Sequence, residues 1–262
     1  MNKLSWGWNT LAGKLIIGFL IVLGLSIGVN IFAIFQLQQV QNVAIEISEN
    51  WMPSINILGQ IKNRTADYMI SQQQHIFSLS EQEMAKYEQK MMDDSVGIAL
   101  DEHDYMALLQ DRITKYGNDE VSYNEDKVNF ESYQSEYDYF LLASRTVIDI
   151  SSINDKADAK EEMLVNSFGS FEASINELDL LIYTNNATAQ EAAHYSGRIY
   201  TSASRLIVGM SLISFISGII VAFFIVRSLR KQIGGEPLEI AKITHKVAEG
   251  DLSMQKVLKI VH

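Results

Sequence analysis

The run DEHD, Asp101 to Asp104, is the densest group of side chains in this sequence that could bind a metal. His103 beside a carboxylate has the chemistry of a divalent-metal site. Adjacent residues of a helix diverge around its axis, however, so the run predicts a solvated face rather than a metal site. The chain has no phosphate-binding glycine loop, zinc-type ligand spacing or nucleophile motif. We therefore expect a protein that is not an enzyme, with no catalytic residue, metal or cofactor.

Charge is distributed unevenly along the chain. Residues 36–205 carry a net charge of −16, whereas residues 1–14 and 227–262 carry +2 and +3. A large acidic domain argues against nucleic-acid binding. It also repels anionic ligands at long range, although salt confines that repulsion to about 8 Å at physiological ionic strength. The charge distribution therefore does not favour carboxylate ligands over amines or divalent cations.

Two apolar segments, Leu15 to Phe35 and Leu206 to Val226, are each 21 residues long and contain no charged side chain. As helices with a rise of 1.5 Å per residue they would be roughly 30 Å long, about the hydrocarbon thickness of a bilayer. Basic residues flank both segments, which favours membrane helices over the alternative of buried core helices. No small-residue cleavage pattern follows Phe35, so we expect a retained anchor rather than a signal peptide.

Short basic flanks stay in the cytoplasm, so we expect both termini inside and the acidic middle outside. The predicted order is a cytoplasmic tail at 1–14, a transmembrane helix at 15–35, an exported domain at 36–205, a second transmembrane helix at 206–226 and a cytoplasmic segment at 227–262. The chain has no cysteine, so the exported domain must be stable without disulfides.

The exported segment contains only one proline, Pro53, and five glycines. It therefore has few of the residues that form tight turns between strands. We expect helices at about 36–78, 81–116 and 121–153, then a corner at Asn154 to Asp158. A fourth helix is expected to run through Phe168 and Ile182 into the second apolar segment. Four antiparallel helices with short corners predict an all-α, up-and-down four-helix bundle.

A heptad pattern in the first of these helices predicts its buried seam. The seam residues are Trp51, Leu58, Thr65 and Gln72 at position a, and Ser54, Ile61, Tyr68 and His75 at position d. His75 is therefore predicted to be an interior histidine rather than a ligand.

The run RKQIGGEPLEIAKITHKVAEGDL after the second apolar segment combines a glycine break, a proline-started amphipathic helix and a Gly-Asp exit. Its apolar positions are three and four residues apart, which suits a parallel coiled-coil partner. Any juxtamembrane amphipathic helix is the alternative reading. The residues that carry the pattern are Gly234, Gly235, Glu236, Pro237, Ile240, Ile243, Val247, Gly250 and Asp251.

The run IGGEPLEIAKITHKVAEGDLS resembles the first helix and connector of a HAMP domain, in a form common in methyl-accepting chemotaxis receptors. ISENWMPSINILGQIKNRTADYM, Ile47 to Met69, resembles the first helix of their four-helix-bundle sensor domain. The resemblance implies a homodimeric receptor of the bacterial inner membrane with a periplasmic sensor. It also leads us to expect that the sequence stops within the HAMP domain, so that the kinase-coupling region is missing.

In that family helix-one arginines bind ligand carboxylates, often across a homodimer interface, and Arg64 is the residue here that matches this role. Arg64 is 29 residues beyond Phe35, and helix-four residues at a similar height lie 29 before Leu206, near Glu177. The implied ligand-binding residues are Arg64, Tyr68, Phe171, Ser174 and Leu178. The alternative is that Arg64 pairs with Asp67 or Glu177 on a solvated face.

The resemblance implies that a small extracellular ligand favours one packing of the bundle. A helix displacement of about 1 to 2 Å would then reach the HAMP residues as a signal for chemotaxis. Two alternatives remain open. The chain could be the input module of a histidine kinase or diguanylate cyclase, or a truncated receptor that pairs with full-length receptors.

Overall fold

The computed structural model describes residues 11–116 and 120–233, together with His245. Regular structure in these ranges is helical throughout, which confirms the all-α prediction. The helices are α1 (Leu11–Glu46), α2 (Met52–Phe77), α3 (Glu81–Asp111), α4 (Glu120–Ser152), α5 (Lys156–Glu162) and α6 (Phe168–Ile233). Three π-helical turns, Ile47–Trp51, Arg112–Tyr116 and Met163–Ser167, follow α1, α3 and α5. Residues Gln39–Arg198 form one compact unit, the bundle unit, and the chain on either side of it forms a second.

The bundle unit turns through short, capped corners. Ser80 starts α3 by accepting a hydrogen bond from the Glu83 backbone N–H at 3.2 Å, and the Glu83 carboxylate accepts one from the Leu79 N–H. This exchange satisfies donors that the first turn of a helix leaves without partners. At the next corner Asn154 has a φ of 66°, a left-handed conformation that asparagine tolerates better than most residues. The corner predicted at Asn154 to Asp158 is shorter than expected, because α5 already begins at Lys156.

The predicted seam of the first bundle helix is confirmed, since all eight of its residues are buried. Leu58, Ile61 and Thr65 are fully buried, and Tyr68 is the most exposed member at 6%. Aromatic rings from α4 complete the core around this seam. Phe130, Tyr133, Tyr137 and Phe140 follow one another at centroid distances between 5.5 and 6.1 Å. Their spacing of three or four residues places all four rings on one face of α4.

The π-helical turn Ile47–Trp51 is a feature that the heptad pattern does not predict. In it the Met52 N–H bonds to the Ile47 carbonyl, five residues back. Pro53 follows at once, and proline has no N–H to donate to the carbonyl four residues back. Asn50 and Trp51, two consecutive residues of this turn, are both buried.

The second unit contains the two apolar segments. The helical stretches Leu15–Phe77 and Lys156–Ser228 are long and apolar enough to cross a membrane, by length and composition. Within the two apolar segments most large apolar side chains are exposed, as Phe19 (68%) and Phe215 (68%) show. The HAMP residues predicted from the sequence lie outside the described residues: Gly234, Gly235, Glu236, Pro237, Ile240, Ile243, Val247, Gly250 and Asp251.

Candidate functional site

Arg64 lies on α2 and reaches across to α3. Its Nε donates a hydrogen bond to Asp101 Oδ2 at 2.9 Å. Gly97 makes room for this reach, because a Cβ built on it would stand only 2.6 Å from Arg64 Cζ. The carboxylate partner of Arg64 is therefore Asp101, rather than the expected Asp67 or Glu177.

Other carboxylates surround the Arg64–Asp101 pair. Burial raises the pKa of Asp94, the charge of Asp67 raises it further, and the positive charge of Arg64 lowers it. Arg64 thus stands among three acidic side chains. A ligand carboxylate at Arg64 would have to replace Asp101 and overcome the repulsion of its neighbours.

The other predicted ligand-binding residues lie in the bundle interior. Tyr68 and Phe171 both contact the ring of Phe140, at centroid distances of 5.3 and 5.7 Å. Ser174 and Leu178 are fully buried, and Ser174 Oγ donates to the Phe171 carbonyl. The structure therefore brings Tyr68 and Phe171 together, whereas the hydrogen bond and ion pair of Arg64 lead to α3.

Lys62 makes the ionic contact between α2 and α6. Its Nζ lies 2.5 Å from Asp179 Oδ1. Both side chains are substantially exposed, so this ion pair adds only about 0 to 1 kcal/mol to stability.

A buried polar network, the Arg112 cluster, consists of Asn50, Arg112, Asp126 and Asn185. Arg112 Nη1 donates to Asp126 Oδ2 at 2.6 Å. Its Nε donates to Asn50 Oδ1 at 2.9 Å, and its Nη2 donates to Asn185 Oδ1 at 3.1 Å. The guanidinium also stacks on Trp51, with Cζ 3.8 Å from the ring centroid. The network joins two π-helical turns, α4 and α6.

The Arg112 cluster is complete within itself. Asn185 Nδ2 donates to Asp126 Oδ2 at 3.2 Å, and Asn50 Nδ2 donates to the Leu108 carbonyl at 2.9 Å. Burial raises the pKa of Asp126, and the hydrogen bond and charge of Arg112 lower it. A buried ion pair is stable only when such additional hydrogen bonds accompany it.

Arg112 is not among the predicted site residues, yet the spacing along α3 contains a signal for it. Met91, Ile98, Tyr105 and Arg112 follow at intervals of seven residues, and all four are buried. An arginine that continues an apolar seam enters the core, where its charge requires a partner. Which acidic residue would meet it depends on the register between α3 and α4, which the sequence does not fix.

His75 lies in a second polar cluster, near the corners that join α2 to α3 and α4 to α5. Its Nδ1 is 3.0 Å from Ser151 Oγ, and its Nε2 is 3.0 Å from Glu88 Oε1. Lys156 donates to the Ser151 hydroxyl and carbonyl, both at 2.9 Å. His75 is fully buried, which confirms the prediction of an interior histidine.

Between these clusters, Glu102, Tyr133 and Tyr137 form what we call the tyrosine layer. The Tyr133 and Tyr137 hydroxyls and Glu102 Oε1 are buried, and none of them makes a hydrogen bond of good geometry in the described part of the chain. Glu102 and Thr65 nevertheless lie near the Tyr133 hydroxyl, and Ser95 lies near the Tyr137 hydroxyl. Glu102 Oε2 accepts a hydrogen bond from Gln134 Nε2 at 3.3 Å. Burial raises the pKa of Tyr133, as does the negative charge of the nearby Glu102. Burial likewise raises the pKa of Glu102, and the hydrogen bond from Gln134 lowers it.

The acidic run DEHD lies on α3. His103 Nδ1 is 3.4 Å from Asp104 Oδ1, and both side chains are exposed. Within residues 11–116 and 120–233 no three histidine, cysteine or acidic side chains converge as metal ligands would.

A known family matches most of the chain. Residues 10–200 match the family described as a four helix bundle sensory module for signal transduction. The match includes the first apolar segment and the whole bundle unit. No curated protein and no solved structure matches the chain.

Proposed function

Because the chain belongs to the family of four-helix-bundle sensory modules for signal transduction, we propose that it is the sensory part of a transmembrane chemoreceptor. In this proposal the bundle binds a small extracellular ligand. Binding favours one packing of the helices, and a small displacement of α6 passes through the second apolar segment to a HAMP domain. The receptor is a homodimer in the bacterial inner membrane, with the bundle in the periplasm.

The observation that carries this proposal is the family match over residues 10–200, on a chain with two helices able to cross a membrane. The helical course of the last element adds support. α6 continues without interruption from Phe168 to Ile233, so bundle residues and the second apolar segment belong to the same helix. An unbroken helix can shift along its axis as a single unit, whereas a loop would absorb the displacement. Switches that work by helix shifts require such a rigid connection.

A ligand must stabilise the receptor if it binds the folded bundle better than the unfolded chain. The test is a thermal-unfolding screen of the full chain in lipid nanodiscs against amino acids, organic acids, amines and divalent cations. We expect at least one class to raise the unfolding temperature in proportion to the logarithm of its concentration. If compounds of every class leave that temperature unchanged, the bundle is not a small-molecule sensor.

Transmission can be measured separately with cysteines, because the chain has none of its own. Phe35→Cys and Leu206→Cys would place single reporters at the outer ends of the two predicted membrane helices. A stabilising compound found in the screen is expected to change the rate of disulfide formation. Unchanged rates at a saturating concentration would reject the proposed displacement while leaving ligand binding intact.

The ligand-binding roles of Arg64, Tyr68, Phe171, Ser174 and Leu178 remain predictions. If a ligand carboxylate binds at Arg64, Arg64→Ala and Asp101→Asn should change its affinity in opposite directions. The first change removes the cation and weakens binding. The second removes the competing carboxylate and strengthens binding, so equal affinities in both variants would remove Arg64 from the site.

A further inference from the structure

The second polar cluster of the bundle, the His75 cluster, consists of His75, Glu88, Ser151 and Lys156. These residues belong to α2, α3, α4 and α5 in that order. His75 and Ser151 are fully buried, whereas the Glu88 side chain is 48% exposed. A histidine between a carboxylate and a hydroxyl has two protonation states to accommodate, and histidine is the side chain that ordinarily changes its charge between about pH 5 and 8.

The Glu88 carboxylate determines the role of one ring nitrogen of His75. Nε2 lies 3.0 Å from Glu88 Oε1, and an ionised carboxylate only accepts hydrogen bonds. Nε2 therefore carries a proton and donates a hydrogen bond to Glu88, whether the ring is neutral or charged. The charge of the ring depends on Nδ1, which lies 3.0 Å from Ser151 Oγ.

The Ser151 hydroxyl has two acceptors within reach, and both belong to His75. Ser151 Oγ is 3.0 Å from Nδ1 and 3.4 Å from the His75 carbonyl oxygen. When Nδ1 carries no proton, the hydroxyl donates to Nδ1. When Nδ1 carries a proton, Nδ1 donates to Oγ, and the hydroxyl turns to donate to the carbonyl. A serine hydroxyl has one donor and two acceptor lone pairs, so Oγ accepts from Lys156 in both states.

Charged side chains face His75 from two of the helices packed around it. Glu88 on α3 favours the protonated ring, and Lys156 on α5 opposes it. Lys156 Nζ is 2.9 Å from Ser151 Oγ and 3.5 Å from the His75 carbonyl oxygen. The third helix, α4, presents the uncharged Ser151 here, and its Arg145 lines a surface groove together with Glu88. A negative and a positive neighbour thus act on the ring in opposite directions.

We propose that the His75 cluster is a pH-sensitive switch on the contact between α2 and α3, in which the Ser151 hydroxyl turns as Nδ1 of His75 gains or loses a proton. Both states keep the hydrogen bonds of the ring, so no buried ring nitrogen is left unsatisfied. The proton comes from solvent and raises the charge of the cluster by one. It converts the hydrogen bond to Glu88 into an ion pair, which is the stronger contact.

Protonation also affects the corner that joins α2 to α3. The His75 carbonyl oxygen accepts from the Ser78 N–H at 3.3 Å and from Lys156 at 3.5 Å. A carbonyl oxygen has two lone pairs, so a third donor from Ser151 weakens one of these contacts. The charge of His75 therefore changes the hydrogen bonding beside Ser78, the residue that ends α2.

The experiment is solid-state NMR of the full chain in lipid bilayers, with nitrogen-15 in the histidine rings. The chain has five histidines, so the His75→Gln variant identifies the signals of His75. The nitrogen chemical shifts show which ring nitrogens carry protons. We expect one protonated nitrogen, Nε2, at about pH 8 and two at about pH 5. One protonated nitrogen at both pH values, or two at both, overturns the switch.

Two variants test the partners of the ring, and a third is the matched control. Glu88→Gln keeps an acceptor for Nε2 but removes the anion, so it should lower the proton affinity of His75 about tenfold, or about one pH unit. Ser151→Ala removes the acceptor of the charged ring, whose hydrogen bonds are the stronger ones, and should lower that affinity about threefold or more. Glu131→Gln removes one negative charge from an exposed position on α4 and should leave it unchanged.

The outcomes separate this inference from the proposed function, because the measurement requires no ligand. An unchanged proton affinity in Glu88→Gln overturns the proposed ion pair and with it the switch. If His75 changes its protonation as expected while no compound of any class stabilises the protein, the switch stands and the sensory function fails. If a ligand is found while His75 keeps one protonation state, the sensory function stands and the switch fails.

Discussion

The Arg112 cluster and the tyrosine layer both bury polar side chains of α4, and they differ in how the hydrogen-bonding groups are satisfied. In the Arg112 cluster a guanidinium and a carboxylate, each about 4% exposed, are joined to two asparagines by hydrogen bonds. In the tyrosine layer Tyr133 and Tyr137 bury hydroxyls that make no well-formed hydrogen bond with any described residue. The first region is a closed network, and the second is an open one.

This difference determines whether a substitution raises or lowers the free energy of unfolding. A buried polar atom without a partner costs about 1 to 3 kcal/mol in free energy of unfolding, whereas a typical completed hydrogen bond contributes about 1 kcal/mol. Removing one member of the closed network leaves its partners without hydrogen bonds and destabilises the fold. Removing a polar atom from the open layer breaks no well-formed hydrogen bond, so we expect such a change to stabilise the fold. The bundle is therefore fixed near the Arg112 cluster and less constrained around the tyrosine layer.

The largest effect is expected for Arg112→Met. The substitution keeps an unbranched side chain of similar length but leaves the Asp126 carboxylate buried without its cation. Breaking a buried ion pair in this way costs about 3 to 5 kcal/mol. Chemical unfolding of the full chain in detergent, followed by circular dichroism, would measure the loss.

A double variant separates the ion pair from its packing. Replacing both partners, as Arg112→Met with Asp126→Leu, should recover most of the lost stability, because apolar pairs of similar volume often equal a buried ion pair. If Arg112→Met costs no more than the surface change Lys127→Ala, the cluster is not the fixed region described above.

The second-largest expected effect is a gain in stability. Tyr133→Phe removes a fully buried hydroxyl that makes no well-formed hydrogen bond with any described residue, and it keeps the ring that packs against Phe130 and Tyr137. We expect the free energy of unfolding to rise by about 1 to 2 kcal/mol. Tyr139→Phe is the matched control, since Tyr139 is on the same helix and 60% exposed. A loss of stability in Tyr133→Phe alone would show that the hydroxyl is bonded after all.

Glu102→Gln should stabilise the bundle by about 1 kcal/mol at neutral pH, because it removes a partly buried negative charge. Burial raises the folded pKa of Glu102 above its unfolded value. The stabilisation linked to this group is therefore fully present below the unfolded pKa and is lost as pH rises through the folded pKa. Unfolding measured from acidic to neutral pH should show a smaller fall in Glu102→Gln than in the unchanged chain. The exposed change Glu172→Gln should leave the pH dependence unaltered.

The helical bundle and its seam could be predicted because they follow from spacing. Positions seven residues apart bury Leu58, Thr65 and Gln72 on α2, although two of the three are polar. The same spacing along α3 leads to Arg112, so the buried arginine could have been found. Its partners could not, because the π-helical turn Ile47–Trp51 changes the helical phase at Asn50 and the sequence does not fix the register between α3 and α4.

The partner of Arg64 shows a different limit of sequence reasoning. Helical spacing and height along the bundle predict Asp67 or Glu177 as the partner of Arg64. The long, flexible Arg64 side chain instead extends toward α3, where there is space for it. That space is provided by Gly97, on a helix whose register to α2 the sequence does not specify. Side-chain pairing between helices therefore depends on the small residues opposite, which periodicity does not reveal.

Gly97→Ala should have the smallest effect on stability. It tests whether the Arg64–Asp101 pair contributes as little as an ordinary surface ion pair or as much as the Arg112 cluster. Its Cβ would displace the Arg64 guanidinium, which is the movable end of a long side chain, and would separate it from Asp101. Losing this partly exposed pair costs about 0 to 1 kcal/mol. Replacing glycine within a helix gains about 0.5 to 1 kcal/mol, so the two terms nearly cancel. Gly59→Ala isolates the gain, since a Cβ there meets nothing within 4 Å. Chemical unfolding of both variants gives the Arg64–Asp101 contribution by difference. A difference above about 2 kcal/mol would place this pair with the closed Arg112 cluster rather than with ordinary surface ion pairs.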